Sequence, residues 1–447
     1  MKEQSISRRR FLTGAATVGA AAVAAPALLA SCSGKEKLTP LRKEGEYYVP
    51  ELPDKAIEGR ELKVGLVGCG GRGSGAIINL LDAADGITVA ALGDVFADRL
   101  NDVRERLKNE RGQEVPEDRC FVGFDAYRQV IDSGVDMVIL TTPPVFRPEM
   151  FKYATEKGVH SFLEKPIAVD AKGYRSVMAT AKQAQAKGLS VVVGTQRHHE
   201  RRYVEANKQI QAGLIGEITG GNVYWNQGML WYRQREEGWT DMEWNIRDWV
   251  NWKWLSGDHI IEQHVHNIDV FLWMSGLKPV SATAFGSRQR RVTGDQFDFF
   301  STDFTMENGI HMHSMCRQIN GCSSKVSEFI QGSKGSWDSE TNEIKDLEGN
   351  VIWKYDEEKA QQEHQQHDPY TLEHVDWVNH IRKGTAHEEA TDNAVSCMAG
   401  IMGREAAYTG KTVTWDEMTQ AEQDFLPGKL ELGPLDLASM TVPVPGE

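Results

Sequence analysis

Lys63-Val64-Gly65-Leu66-Val67-Gly68-Cys69-Gly70-Gly71-Arg72-Gly73 is the stretch that decides the fold. Lys63–Val67 has the pattern of a short buried strand, and from Gly75 onward the chain can begin a helix. Between the two, Gly68 permits a tight turn. Gly70 lets a pyrophosphate approach the N–H groups of the helix start, with Gly71 and Arg72 beside it, and Gly73 allows close helix–strand packing. Asp94 closes the next apolar run, where a carboxylate can accept from both ribose hydroxyls of a dinucleotide. Such a carboxylate repels a 2′-phosphate, so the expected cofactor is NAD rather than NADP; Arg99 is too far along to reverse this.

Outward from this turn, short β-branched runs alternate with amphipathic stretches as far as Gln196. The expected strands are Leu62–Val67, Ile87–Leu92, Val135–Thr141, His160–Leu163 and Leu189–Gly194. Between them lie helical candidates at Ser74–Leu81, Arg99–Glu110, Pro148–Lys157 and Ala171–Lys187. This alternation predicts a parallel sheet covered by helices, an α/β Rossmann domain over residues 61–196. The next part, 197–412, reads differently. Glu217–Trp225, Val280–Arg288, Asp298–Met306 and Ile310–Arg317 alternate polar and apolar residues, and Asn308-Gly309 is a hairpin turn. An α+β domain with a large, mostly antiparallel sheet follows, interrupted by a helix near His259–Met274 and closed by helices near Tyr370–Arg382 and Ala394–Thr409. Residues 413–447 read as a C-terminal tail. Six tryptophans crowd Met229–Trp254; they suit either a sugar-covering surface or a packed core or subunit contact.

The N-terminus carries a second signal. Ser7-Arg8-Arg9-Arg10-Phe11-Leu12 leads an apolar segment that ends at Leu29-Ala30-Ser31-Cys32. The segment is short for a membrane span, and its basic front fits a twin-arginine export signal over residues 1–32. The small residues before Cys32 resemble a lipobox, which makes Cys32 the expected lipidation site and the mature protein a periplasmic-side or cell-surface lipoprotein. Residues 33–60, polar and without a period, read as a tether. The net charge of −14 at pH 7 argues against nucleic acid as a partner and against electrostatic docking on anionic lipid, so a lipid anchor is the expected membrane contact. Cys69, Cys120, Cys316, Cys322 and Cys397 lack metal-site spacing. Cys316 and Cys322 could pair, but buried free thiols are the simpler expectation.

Further motifs make the chain resemble the Gfo/Idh/MocA oxidoreductases, which include glucose–fructose oxidoreductases and inositol dehydrogenases. They are Thr141-Thr142-Pro143-Pro144, Glu164-Lys165-Pro166, Gly213-Leu214-Ile215-Gly216-Glu217-Ile218 and Glu262-Gln263-His264-Val265-His266-Asn267-Ile268-Asp269. The resemblance runs from about Leu62 to Lys411. It implies that Thr142, Pro143, Glu164 and Gln196 border the cofactor. Lys165 would stand near the nicotinamide and the reacting hydroxyl as proton acceptor or electrostatic helper, aimed by Pro166 in a motif that often has a cis bond. Glu262 and His266, four residues apart and so expected on one helix face, would contact the sugar and relay the proton, with Glu in the place of the family's usual Asp. Arg147 stands where a His is common, and Ser256-Gly257-Asp258 replaces a Gly-Gly-Gly lead-in.

Arg197, His198 and His199 follow the carboxyl end of a Rossmann strand. Arg197 and His198, with His266, are therefore expected to face the substrate. His259, Glu262 and His266 also fall on one helical stripe that could ligate a divalent metal, although the family chemistry needs none. The resemblance further implies a homodimer or homotetramer formed through the open sheet face.

The reading that results is an exported NAD-dependent oxidoreductase acting on a ring hydroxyl, with C3 the favoured position, of a sugar or glycoside. Outside the cytoplasm the cofactor must be held and its hydride returned. The alternative is a redox-neutral glycoside hydrolase or lyase that passes through a keto-sugar. A lipid-tethered binding protein with a dead Rossmann fold fits the intact Lys165 and His266 least well.

Overall fold

The computed structural model describes residues 38–43 and 45–446. The export segment and Cys32 lie outside the described residues. Among the described residues no helix is long and apolar enough to cross a membrane.

The first domain is built on six strands, β1 (Leu62–Val67), β2 (Ile87–Asp94), β3 (Cys120–Val122), β4 (Met137–Leu140), β5 (His160–Leu163) and β6 (Val191–Val193). All pair in parallel in the order β3-β2-β1-β4-β5-β6. Helices α1 (Gly71–Ala83), α2 (Ala97–Arg111), α3 (Ala126–Asp132), α4 (Arg147–Lys157) and α5 (Ala171–Ala186) cover its faces. Every residue of β4 is buried, because a parallel sheet between two helical layers has no wet face. The strand order reverses between β1 and β4, so the loops after these strands open a crevice at the carboxyl edge. β3 and α3 were not expected; a three-residue edge strand offers too short a period to be read.

In the second domain α6 (Arg201–Gln211) leads to β7 (Ile218–Gln227). Four short helices follow, α7 (Asp241–Arg247), α8 (Lys253–Ser256), α9 (His259–Glu262) and α10 (Val265–Ser275). Then come β8 (Pro279–Ser287), β9 (Phe299–Met306), β10 (His311–Gln318), β11 (Lys325–Gly332), β12 (Gly335–Asp338), β13 (Glu343–Asp346) and β14 (Val351–Lys354). The chain ends with α11 (Glu357–Glu363), α12 (Pro369–Lys383), α13 (Ala390–Thr409), β15 (Val413–Thr414) and α14 (Trp415–Gln420). The nine strands run β14-β13-β12-β11-β7-β10-β9-β8-β15, and only β7 and β10 pair in parallel. Alternation sets the faces: Met312, Ser314, Cys316 and Gln318 of β10 point inward, while His311 and Met315 do not. α10 packs so closely on β7 that a Cβ at Gly221 would lie 2.5 Å from Phe271.

Three expectations are corrected here. The helix near His259–Met274 breaks at Gln263, so Glu262 ends α9 while His266 lies in the first turn of α10. The described part of the 33–60 tether is not a free linker. Arg42 donates to Gln211 and to the Trp273 carbonyl, the Tyr48 hydroxyl meets Asp376, and the Ile57 N–H donates to Asn379. The 413–447 tail likewise folds back: Val413–Thr414 adds a strand beside β8, and the Phe425 and Leu435 N–H groups donate to Asp170 and Asp241. Neither segment has a period of its own, and both acquire structure from backbone and side-chain bonds to the body.

Candidate active site

The glycine turn forms as its residues dictate. Gly68 has φ +94°, and a Cβ there would lie 2.7 Å from the Thr141 carbonyl carbon. A Cβ at Gly73 would lie 1.8 Å from the Gly68 carbonyl oxygen, so no other residue fits. At Gly70 and Gly71 an added Cβ meets nothing within 4 Å, and this open backbone at the start of α1 is the cradle an anionic pyrophosphate needs. Thr141 locks the turn from β4, its hydroxyl 2.7 Å from the Gly68 carbonyl. From the end of β2 the Asp94 carboxylate accepts from the Cys69 and Phe96 N–H groups, at 2.6 and 2.8 Å. Burial pushes the Asp94 pKa up, and those two N–H groups oppose the shift.

A cleft of about 890 Å³ runs over this cradle, large enough for a dinucleotide. Gly68, Gly70, Gly71, Arg72, Gly73, Asp94, Thr142 and Pro143 line it, as the sequence predicts. Arg99, set aside on the sequence, lines it too. Trp231 and Trp249 roof it from the second domain, and Leu426 and Leu430 from the C-terminal segment. Nothing in the sequence alone places these four over a Rossmann edge, because the contact joins segments far apart in the chain.

Lys165, Glu262 and His266 lie outside the lining of that cleft, buried at the same carboxyl edge of the sheet. Lys165 follows β5, and its peptide to Pro166 is cis. Its Nζ donates to the Glu262 carbonyl at 2.5 Å and lies 3.3 Å from the Glu262 carboxylate. Arg147 supplies what the usual His would not: fully buried, it donates to the Pro166 carbonyl at 2.6 Å and so fixes the loop that carries Lys165. Burial pushes its pKa down to about 10. The second Arg of the site, Arg72, bridges the Glu164 and Glu373 carboxylates at 2.6 and 3.0 Å. It and Glu164 therefore tie α1 to the Lys165 loop and to α12; Arg72 also lines the cofactor cleft, whereas Glu164, expected to border the cofactor, lies outside its lining.

His266 stacks on Trp225 of β7, with ring centroids 5.5 Å apart. Burial, with the Lys165 and Arg197 cations nearby, holds its pKa well below the ordinary imidazole range, so it is neutral at pH 7. Its Nδ1 is buried without a partner, as are Trp225 Nε1 and Gln227 Nε2 on the same strand face. These unsatisfied atoms suit a polyhydroxylated ligand beside Lys165. Asp258 takes the third place of the Gly-Gly-Gly lead-in and adopts φ +80°, a glycine conformation. Its carboxylate is bound by the His259 and Phe297 N–H groups and by the Tyr408 hydroxyl, which hold it there.

Other expected site residues are placed elsewhere. His198 stacks on Trp273 and bonds Asp269 at 2.6 Å, bordering a different cavity, so it does not face this site. Arg197 is buried in an ion pair with Glu328 and covers Trp225, which makes it a support for the wall rather than a free substrate contact. Gln196 sits in the turn after β6 with its Oε1 buried and unpartnered, outside the lining of the cleft. The His259, Glu262 and His266 stripe does not converge: His259 bonds Asp258, Glu262 holds Lys165, and the helix break separates them from His266. The five described cysteines are free; Cys316 is buried and Cys322 exposed.

The oxidoreductase family model described as an NAD-binding Rossmann fold matches residues 62–194, and the Gfo/Idh/MocA C-terminal domain model matches 203–338. Together they span more than half of the sequence. The chain belongs to the Gfo/Idh/MocA family. Its first domain is accordingly an NAD-binding Rossmann domain, and the open cradle at Gly70 and Gly71 fits that cofactor. The family member is 25% identical over 65% of its length to a glycosyl hydrolase family 109 protein of Streptomyces coelicolor, covering 56% of that protein. It is 25% identical over 51% of its length to an NAD(+) scyllo-inositol 2-dehydrogenase of Bacillus subtilis, covering 57% of it. A 2,7-anhydro-N-acetylneuraminate hydratase of Mediterraneibacter gnavus is 28% identical over 43% of the chain and 48% of its own length. The chain thus spans about half the length of the curated relatives it matches. The solved scyllo-inositol dehydrogenase of Lactobacillus casei, with NAD(H) and scyllo-inositol bound, shares the fold at TM-score 0.59 and 20% identity, over 79% of this chain and 99% of that one.

Proposed function

We propose that this protein is an NAD-dependent oxidoreductase acting on a ring hydroxyl of a sugar or glycoside, with C3 the position favoured. The observation that carries the reading is the pairing of Lys165 Nζ with Glu262, at 2.5 and 3.3 Å, beside a buried neutral His266. Bound NAD supplies a hydride acceptor. The chain's own residues handle the proton. A neutral His266 accepts it from the hydroxyl, and the Lys165 ammonium stabilises the oxygen as charge develops on it. Glu262 holds the ammonium in place through two contacts, and Arg147 fixes the loop behind it. The unpartnered Trp225 Nε1 and Gln227 Nε2 donors are available to the hydroxyls of a sugar ring.

A redox-neutral hydrolase or lyase is the second reading, supported by the similarity to the family 109 and hydratase relatives. The same proposal includes export by the twin-arginine signal, lipidation at Cys32, and a homodimer or homotetramer. The oligomer is supported by Phe285, 69% exposed on the outer face of the large sheet. The test is to purify the full chain, extract its nucleotide and incubate it with a panel of glycosides. A keto-sugar formed with matching NADH supports the first reading. Free sugar with no net NADH supports the second. Retained NAD with no turnover of any glycoside would sink both.

A further inference from the structure

Away from the cofactor cleft, a second polar cluster sits where α12 and α13 meet the segment around Tyr48. α12 presents Asp376 and His380 one turn apart on a single face. The chain after α12 brings the His387 ring to 4.3 Å from that of His380, and Glu389, at the start of α13, follows. His199, from the turn after β6, closes the cluster with its Nε2 3.2 Å from Asp376 and 3.9 Å from Glu389. We propose that Asp376, His380 and His387, with Glu389 and His199 behind them, bind one divalent transition-metal ion of the Zn2+ class.

Four observations carry this. The ligand atoms of Asp376, His380 and His387 lie within 4.8 Å of one another, and so do those of His199, Asp376 and Glu389; the two triads share Asp376. The ligands are oriented from behind. His380 Nδ1 is 2.8 Å from the Thr385 hydroxyl, which leaves Nε2 facing inward, and the Val193 N–H donates to Glu389 Oε2, which leaves Oε1 toward His387 at 3.0 Å. Such outer bonds fix imidazole and carboxylate direction in metal sites.

The third observation is the Tyr48 hydroxyl, 2.9 Å from both Asp376 oxygens and 3.0 Å from His380 Nε2. It stands where the lone pairs converge, and an ion entering there displaces it. Fourth, Tyr48, His387 and Glu389 border a cavity of about 330 Å³ whose wall carries six carboxylates, Glu388 and Asp392 among them, against the Arg42 and Lys278 cations, a net negative approach for a cation. This cavity shares no lining residue with the nucleotide cleft. Imidazoles combined with carboxylates select Zn2+ and its neighbours over Mg2+ and Ca2+, which prefer oxygen-only shells. A bound ion at this seam links α12 and α13 beneath the Tyr48 segment.

The test uses the full chain, stripped with a chelator and titrated with Zn2+ by calorimetry, with bound metal counted by mass spectrometry. One tight equivalent is expected, accompanied by a higher unfolding temperature and resistant to millimolar Mg2+. His380→Gln with His387→Gln should weaken that equivalent at least tenfold while circular dichroism and NAD content stay unchanged. If the double variant fails to fold, His387→Gln alone, whose residue lies in a loop, should still lose affinity. Tyr48→Phe should keep the stoichiometry. No tight equivalent, displacement by Mg2+, or an equivalent insensitive to both histidine substitutions overturns the proposal.

Discussion

At the scale of single residues, the site depends on Lys165 being held rather than on its presence alone. Lys165→Met removes the cation while keeping an apolar stem of similar length, so turnover should fall on the order of 10²- to 10⁴-fold. Nucleotide content, measured by extraction and chromatography, should remain, because the cradle lies at Gly68–Gly73. Loss of NAD along with activity would show that Lys165 serves binding instead. His264 gives a pH prediction. Its Nε2 lies 2.7 Å from the Ser314 hydroxyl in the core, and burial lowers its pKa to about 3, against about 6.5 when unfolded. The unfolded chain therefore binds the extra proton, so this stability is present above pH 6.5 and is lost as pH falls toward 3. Relative to His264→Gln, the wild type should lose about 2 kcal/mol of unfolding free energy between pH 7.5 and pH 5. Urea titrations of both proteins at the two pH values measure it, and parallel pH profiles would refute it. Of these residues, Lys165, Glu262 and His266 were legible as motif positions. That Arg147 grips the Pro166 carbonyl was not, because a departure from a motif does not reveal its new partner.

Secondary elements show where local signals suffice. β1, α1 and the turn between them were readable because each constraint lies within a dozen residues. Gly73→Ala tests that turn: with a Cβ 1.8 Å from the Gly68 carbonyl, α1 must shift off β1. The variant should lose more than tenfold in NAD affinity and unfold at a lower temperature, as read by calorimetry with and without nucleotide. The roof over the cleft is the opposite case. Leu426 and Leu430 belong to a stretch that reads as a tail, yet they line the nucleotide cleft with Trp231 and Trp249. Leu426→Ala with Leu430→Ala should speed NAD release about tenfold, the effect of roughly 1.4 kcal/mol of lost apolar contact, while leaving the fold intact. Release that matches the wild type in stopped-flow fluorescence would show that the roof does not retain the nucleotide. The break at Gln263 likewise escaped a reading based on helical spacing, since period alone shows no interruption.

Across the whole molecule, the exposed outer face of the nine-stranded sheet bears on assembly. Phe285, Ser301, Met315 and Tyr224 stand in register across β8, β9, β10 and β7, with Phe285 the most exposed. Phe285→Glu should reduce the mass seen by light scattering to that of one chain if the proposed oligomer uses this face. An unchanged mass would place the interface elsewhere. The sequence by itself determined the Rossmann domain, the cofactor class and the motif positions Lys165, Glu262 and His266. In each of these the decisive contacts are local, set by glycine geometry, strand and helix periods and residues a few places apart. Only the tertiary structure decided that Arg72 ties α1 to the Glu164 loop and to α12, that His198 faces away, and that residues 38–43, 45–60 and 413–446 clamp the body. Those outcomes depend on which distant charges, carbonyls and apolar side chains meet when the two sheets are brought together, and no spacing along the chain encodes that meeting directly.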